Sequence, residues 1–155
     1  MKLYVSSILS LVLIVTGAAA GKVDFSGTWI FNPAKSKNIG MMSGMQLTTT
    51  IKQNQSGLTI TDDSKFNGQE SSRETRFDLT GKPVHNQTFM GENAETTSHW
   101  SGGSLVTAWK TEGAIAGTNV VRTETLSLSP DGKILTLESV RGSNPAVVMV
   151  FDRQQ

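Results

Sequence analysis

The chain has 155 residues, no cysteine, and 14 Lys and Arg against 13 Asp and Glu. Setting Lys2 aside with the leader described below leaves 13 basic side chains against 13 acidic ones. That balance argues against nucleic acid or an anionic membrane as a partner, because both select a basic excess. Without cysteine there is no disulfide framework, and a single domain of this size buries about two-thirds of its unfolded surface without staples.

Lys2 precedes an apolar run, Leu3 to Val15, and Thr16-Gly17-Ala18-Ala19-Ala20 supplies a small-residue cleavage site. The run is about 13 residues, short of the ~20 that span a bilayer, so it reads as a secretory signal peptide. The expected organisation is a signal peptide over 1–20 and one domain over 21–155. The product would be exported, periplasmic or extracellular, with no stable membrane insertion once the leader is removed.

Beyond the leader, Gly27–Phe31 reads as the first strand. Asn32-Pro33-Ala34-Lys35-Ser36 follows, with a capping Asn and a Pro at the first helical position, which predicts one short helical turn. Gly40–Gly44 reads as a flexible lead-out. Met45–Gln53 alternates apolar and polar residues, and Asn54-Gln55-Ser56-Gly57 turns the chain into a strand over Leu58–Asp63. Asn67-Gly68 is a hairpin signal, since both residues tolerate positive φ. Strands are expected next over Arg73–Leu79, Val84–Met90, Thr96–Trp100, Ser104–Thr111 and Thr118–Leu128. Pro130-Asp131-Gly132 marks a tight turn before Lys133–Val140, and Val147–Arg153 closes the chain.

Consecutive strands joined by short loops must lie antiparallel, and closure into a barrel removes exposed edges. The expected fold is all-β: a single up-and-down antiparallel β-barrel of about eight to ten strands. At Gly27-Thr28-Trp29 and Arg153 the chain resembles the calycin superfamily, the lipocalins and fatty-acid-binding proteins. The stretch from Phe25-Ser26-Gly27-Thr28-Trp29 through Asn32-Pro33-Ala34-Lys35-Ser36 is similar to small exported bacterial lipocalin-like proteins. The resemblance implies that Gly27, Trp29 and Arg153 close the barrel floor, with the guanidinium stacked on the indole. The chain lacks the disulfide of many lipocalins, and leaves no room between its first two strands for the helical lid of fatty-acid-binding proteins.

Positions two apart on a strand share a face, so several polar residues fall in register with apolar ones. Arg73 and Thr75 accompany Phe77, and Arg122 and Glu124 accompany Val120 and Leu126. If these faces point inward, Arg122 or Arg73 could anchor a polar head group. Glu124 would then modulate Arg122, and Phe77, Trp100 and Trp109 would supply apolar wall. The other reading places these charges in solvent, or pairs Arg122 with Glu124 across strands.

His85 and His99 have no partners at metal-ligand spacing, so no metal site and no cofactor are expected. Asp62 and Asp63 are adjacent and point to opposite faces, which suits a strand end better than an acid–base pair. No catalytic constellation is visible, and the expectation is not an enzyme. The leading expectation is a barrel that binds a small hydrophobic or amphipathic ligand non-covalently. The alternative is a packed-core interaction module, an inhibitor or envelope factor, that uses the Met41–Met45 and Gly113–Gly117 loops.

Overall fold

The computed structural model describes residues 22–155, so the proposed signal peptide over 1–20 lies outside the described residues. Ten antiparallel strands run in chain order: β1 (Gly27–Phe31), β2 (Gln46–Gln53), β3 (Gly57–Phe66), β4 (Gln69–Asp78), β5 (Val84–Gln87), β6 (Asn93–Ser101), β7 (Ser104–Glu112), β8 (Asn119–Leu128), β9 (Ile134–Arg141) and β10 (Val147–Arg153). Each pairs with its sequence neighbour except at one seam, between β4 and β5, and β1 pairs with β10. The result is a nearly closed up-and-down barrel.

Two short 3-10 turns, Pro33–Lys35 and Gly40–Gly44, lie between β1 and β2, so the stretch expected to be a flexible lead-out is itself a helical turn. The strand limits also differ from expectation. β3 and β4 extend to either side of the Asn67-Gly68 turn, where φ is 50° and 79°, and Asp62 and Asp63 therefore sit within a strand rather than at its end. β5 stops at Gln87, because Thr88 to Glu92 form a turn in which the Gly91 amide donates to the Thr88 carbonyl.

The up-and-down order sends alternate connections to opposite ends. At one end, the floor, Trp29 and Phe25 are fully buried beside Ile51, Leu58, Leu105 and Leu135. At the other end, the mouth, lie the two 3-10 turns and the β3–β4, β5–β6, β7–β8 and β9–β10 connections. Of the exposed large apolar residues, Met41, Phe89, Met90 and Ile115 lie in mouth connections and Phe66 ends β3 at the mouth, while Ile30 and Val121 lie on strands.

Asn32-Pro33-Ala34-Lys35-Ser36 is fastened to the last strand. The Asn32 side chain caps the turn through the Lys35 amide, and its Nδ2 donates to Asp152 at 2.6 Å. Lys35 Nζ reaches the other Asp152 oxygen at 2.7 Å, and the Val150 amide donates to Ser36 Oγ at 2.9 Å. With these contacts the chain leaves β1 already joined to β10, at the join between first and last strands.

Candidate ligand site in the barrel lumen

The floor is built from both ends of the chain. Trp29 and Arg153 are directly opposed across β1 and β10, and the guanidinium carbon stands 4.3 Å from the indole centroid. Arg153 also donates to the carbonyls of Gly132 at 2.7 Å and Ser26 at 3.2 Å. Gly27 allows this approach: its φ is +142°, and a Cβ there would lie 2.8 Å from Arg153 Nη1. Phe25 completes the plug by stacking on Trp100 at 5.8 Å, with ring planes 2° apart. Gln53 clamps the segment, accepting from the Phe25 amide and donating to the Val23 carbonyl. Trp100 therefore sits with the floor group, and its indole Nε1 is buried without a partner.

Above the floor the inward faces turn polar. Arg73, Phe77, Trp109, Arg122 and Glu124 all point into the lumen, as their strand parity and burial show. Arg122 and Glu124 pair along one strand at 3.2 Å, not across two strands. Their cross-strand partners are Trp109 and Thr107. Trp109 Nε1 donates to the second Glu124 oxygen at 2.7 Å, and the Arg122 guanidinium covers the same indole at 4.8 Å. Phe77 meets Trp109 edge-on, with centroids 5.8 Å apart.

A second ion pair faces the first. Arg73 Nη2 lies 3.2 Å from Asp62, directly opposite it on β3, and the Thr49 hydroxyl donates to the other Asp62 oxygen at 2.7 Å. Phe89, from the mouth, lies 5.8 Å from the Arg73 guanidinium. Asp62 is the lumen residue that the sequence reading missed. The signal was available in its spacing, two residues beyond Ile60 and four beyond Leu58 on one alternating face.

Glu124 is the carboxylate that joins Arg122 to the Trp109 indole. Burial pushes its carboxyl upward, against the favourable pull of Arg122, the Trp109 hydrogen bond and Arg73, while Asp62 adds to the rise. Asp62 and Arg73 share the inward parity of their strands with Leu58 and Phe77, as Arg122 and Glu124 do with Leu126, so the two pairs face one lumen. Both arginines keep one buried Nε that has no hydrogen-bond partner. A buried unpartnered donor costs about 1–3 kcal/mol, so the lumen offers donors and asks for acceptor atoms.

His85 and His99 alternate outward and are exposed, and among the described residues no three His, Asp or Glu side chains converge as metal ligands. Two clefts of about 480 Å³ lie outside the lumen. One is lined mainly by outward-pointing residues of β2, β3 and β4, and the other lies beside the Gly40–Gly44 turn.

Ten up-and-down strands, a seam between β4 and β5, and a Trp–Arg floor together decide the fold. It is a ten-stranded up-and-down antiparallel β-barrel. Among solved structures, REP1-NXSQ fatty acid transporter superposes with a TM-score of 0.66 at 14% identity, covering 84% of this chain and 96% of its own. Human cRBP IV gives 0.65 at 20% identity over 85% and 99%. The fatty-acid-binding protein 1 of Echinococcus granulosus gives 0.66 at 14% identity over 84% and 98%. No protein-family profile and no curated protein sequence matches the chain. At such identities the likeness is one of barrel architecture alone.

Proposed function

We propose that the protein is an exported carrier that holds one amphipathic molecule non-covalently, with an acceptor-bearing head group among Arg73, Arg122 and Trp109. The observation that carries this reading is the pair of buried, unpartnered guanidinium Nε atoms inside one lumen. A head-group oxygen satisfies them, and apolar ligand surface removed from water supplies about 25 cal/mol per Å². Leu47, Ile60, Leu137 and Met149 are only partly buried against the core and offer contact for the apolar body. The similar folds include a protein titled a fatty acid transporter and one titled a fatty-acid-binding protein, which supports a carrier over an enzyme. Export rests on the leader sequence, and N-terminal sequencing of the natural product is expected to begin at residue 21.

The ligand reading is tested by titrating delipidated protein with an environment-sensitive fluorescent fatty acid. Saturable binding is expected, and Arg73→Met and Arg122→Met each weaken it by about tenfold or more, the loss of one charge-assisted hydrogen bond. No saturable binding to the wild-type protein, or wild-type affinity in both variants, overturns the reading.

A further inference from the structure

The two ion pairs, Arg73–Asp62 and Arg122–Glu124, sum to zero when ionised, and Arg141, opposite Arg122 on β9, is exposed to solvent at the mouth end. A carboxylate entering that cluster adds a negative charge beside arginines whose charge Asp62 and Glu124 already balance, in a space where these side chains are only partly exposed, so it is disfavoured unless one carboxylate is neutralised. One group can relieve this. Glu124 holds Arg122 through Oε1 and Trp109 Nε1 through Oε2, so its two oxygens have separate tasks. A proton on Oε1 leaves the indole bond intact and releases Arg122 Nη2, beside its already unpartnered Nε.

We propose that the lumen binds an anionic head group together with one proton, which Glu124 takes up on Oε1 as the ligand carboxylate replaces it as the partner of Arg122. This deepens the carrier reading given above and rests on it. The charges balance: a carboxylate and a proton leave solvent, Glu124 becomes neutral, and the cluster again sums to zero. A neutral head group of the same chain length needs no proton.

The groups around Glu124 favour that assignment. On β8 itself the facing charge is Arg122, and on β7 the facing residues are Thr107 and Trp109. On β9 Ser139 lies directly opposite, with Arg141 opposite Arg122 nearer the mouth. Across the lumen stand Asp62 on β3 and Arg73 on β4. Lys110 and Glu138 fall on alternate positions, exposed on the outer face. Each carboxylate has two partners, Arg73 and Thr49 for Asp62, Arg122 and Trp109 for Glu124, but the Glu124 side chain is the less exposed, 16% against 21%, and burial pushes its carboxyl upward.

The sign follows directly. Where Glu124 is protonated before ligand arrives, anion binding is pH-independent; above its own pKa each binding event must draw a proton from solvent. Affinity for the anion therefore falls with rising pH, by up to about tenfold per unit.

The test compares dodecanoate with dodecanol by isothermal titration calorimetry between about pH 6 and 9, where the free acid is ionised. Wild-type protein is expected to lose dodecanoate affinity as pH rises and to hold dodecanol affinity constant. In buffers of different ionisation enthalpy, dodecanoate binding takes up about one proton and dodecanol binding none. Glu124→Gln, which is neutral and keeps an acceptor for Trp109, binds dodecanoate with a flat profile and more tightly than wild type at the alkaline end. Zero proton uptake by the wild-type protein overturns the proposal. So does a Glu124→Gln variant that keeps the pH dependence, because the proton then resides on the ligand. If neither dodecanoate nor dodecanol binds at any pH, the carrier reading fails as well; if both bind without proton uptake, the carrier reading stands and the coupling alone falls.

Discussion

At Gly27 the absence of a side chain and the presence of a distant one are a single feature. The backbone adopts a φ of +142°, and the space a Cβ would fill holds the end of Arg153. The guanidinium in turn gains from the Trp29 face and from two backbone carbonyls. Gly27→Ala is therefore expected to cost about 1–3 kcal/mol, partly as backbone strain and partly by displacing Arg153. Arg153→Ala is expected to cost about 1–3 kcal/mol through the lost stacking and hydrogen bonds. The two losses overlap. Urea unfolding of Gly27→Ala/Arg153→Ala should show a cost smaller than the sum of the singles by about 0.5 kcal/mol or more, because the double variant has no guanidinium left to displace. Strict additivity would show that the two residues act independently.

Among the strands, the seam between β4 and β5 is where a side chain stands in for a missing ladder. The Asn86 Oδ1 accepts from the Arg76 amide at 3.1 Å, and its Nδ2 donates to the Arg76 carbonyl at 2.8 Å. The same Nδ2 reaches the Thr96 hydroxyl at 2.8 Å, so Asn86 links β4 to β6 across β5. Asn86→Ala is expected to destabilise the fold by about 1–3 kcal/mol and to speed hydrogen exchange at Arg76 relative to the β2–β3 pair. Unchanged protection of Arg76 would mean that the seam is held by packing alone. This role was not legible in the sequence, where Asn86-Gln87-Thr88 is an unremarkable polar triplet. Local chemistry did reveal the elements that depend on it: the Asn67-Gly68 turn, the Asn32 cap, and the alternation of β2. Strand lengths were less legible. β3 and β4 carry polar residues towards their shared turn, where apolar alternation fades, and cross-strand pairs such as Lys65–Glu70 and Asp63–Ser72 support them instead.

For the whole molecule, the barrel could be inferred from ten short segments and a Gly-x-Trp, yet the contents of its lumen could not. Parity placed Arg73, Arg122 and Glu124 on faces shared with apolar residues, but it could not tell inside from outside, nor bring Asp62 to them from another strand. Only closure of the sheet unites the two pairs. That union has an energetic consequence for the fold. Buried ion pairs are often no more stable than uncharged residues of similar shape, because desolvation offsets their attraction. The Arg122–Glu124 pair also keeps an unpartnered Nε, and burial raises the carboxyl, so folding must work against its ionisation. Arg122→Met/Glu124→Gln removes both charges and leaves an acceptor for Trp109. It is expected to raise the free energy of unfolding near neutral pH by about 1 kcal/mol or more, while binding the fluorescent fatty acid more weakly than wild type through loss of the guanidinium, though less weakly than Arg122→Met, which leaves Glu124 unpaired. Denaturant melts of the two proteins, matched for slope, decide the matter. A clear loss of stability would make the pair part of the scaffold. A gain in stability together with weakened binding means that the barrel folds in spite of its charged lumen, and that the charges serve the ligand.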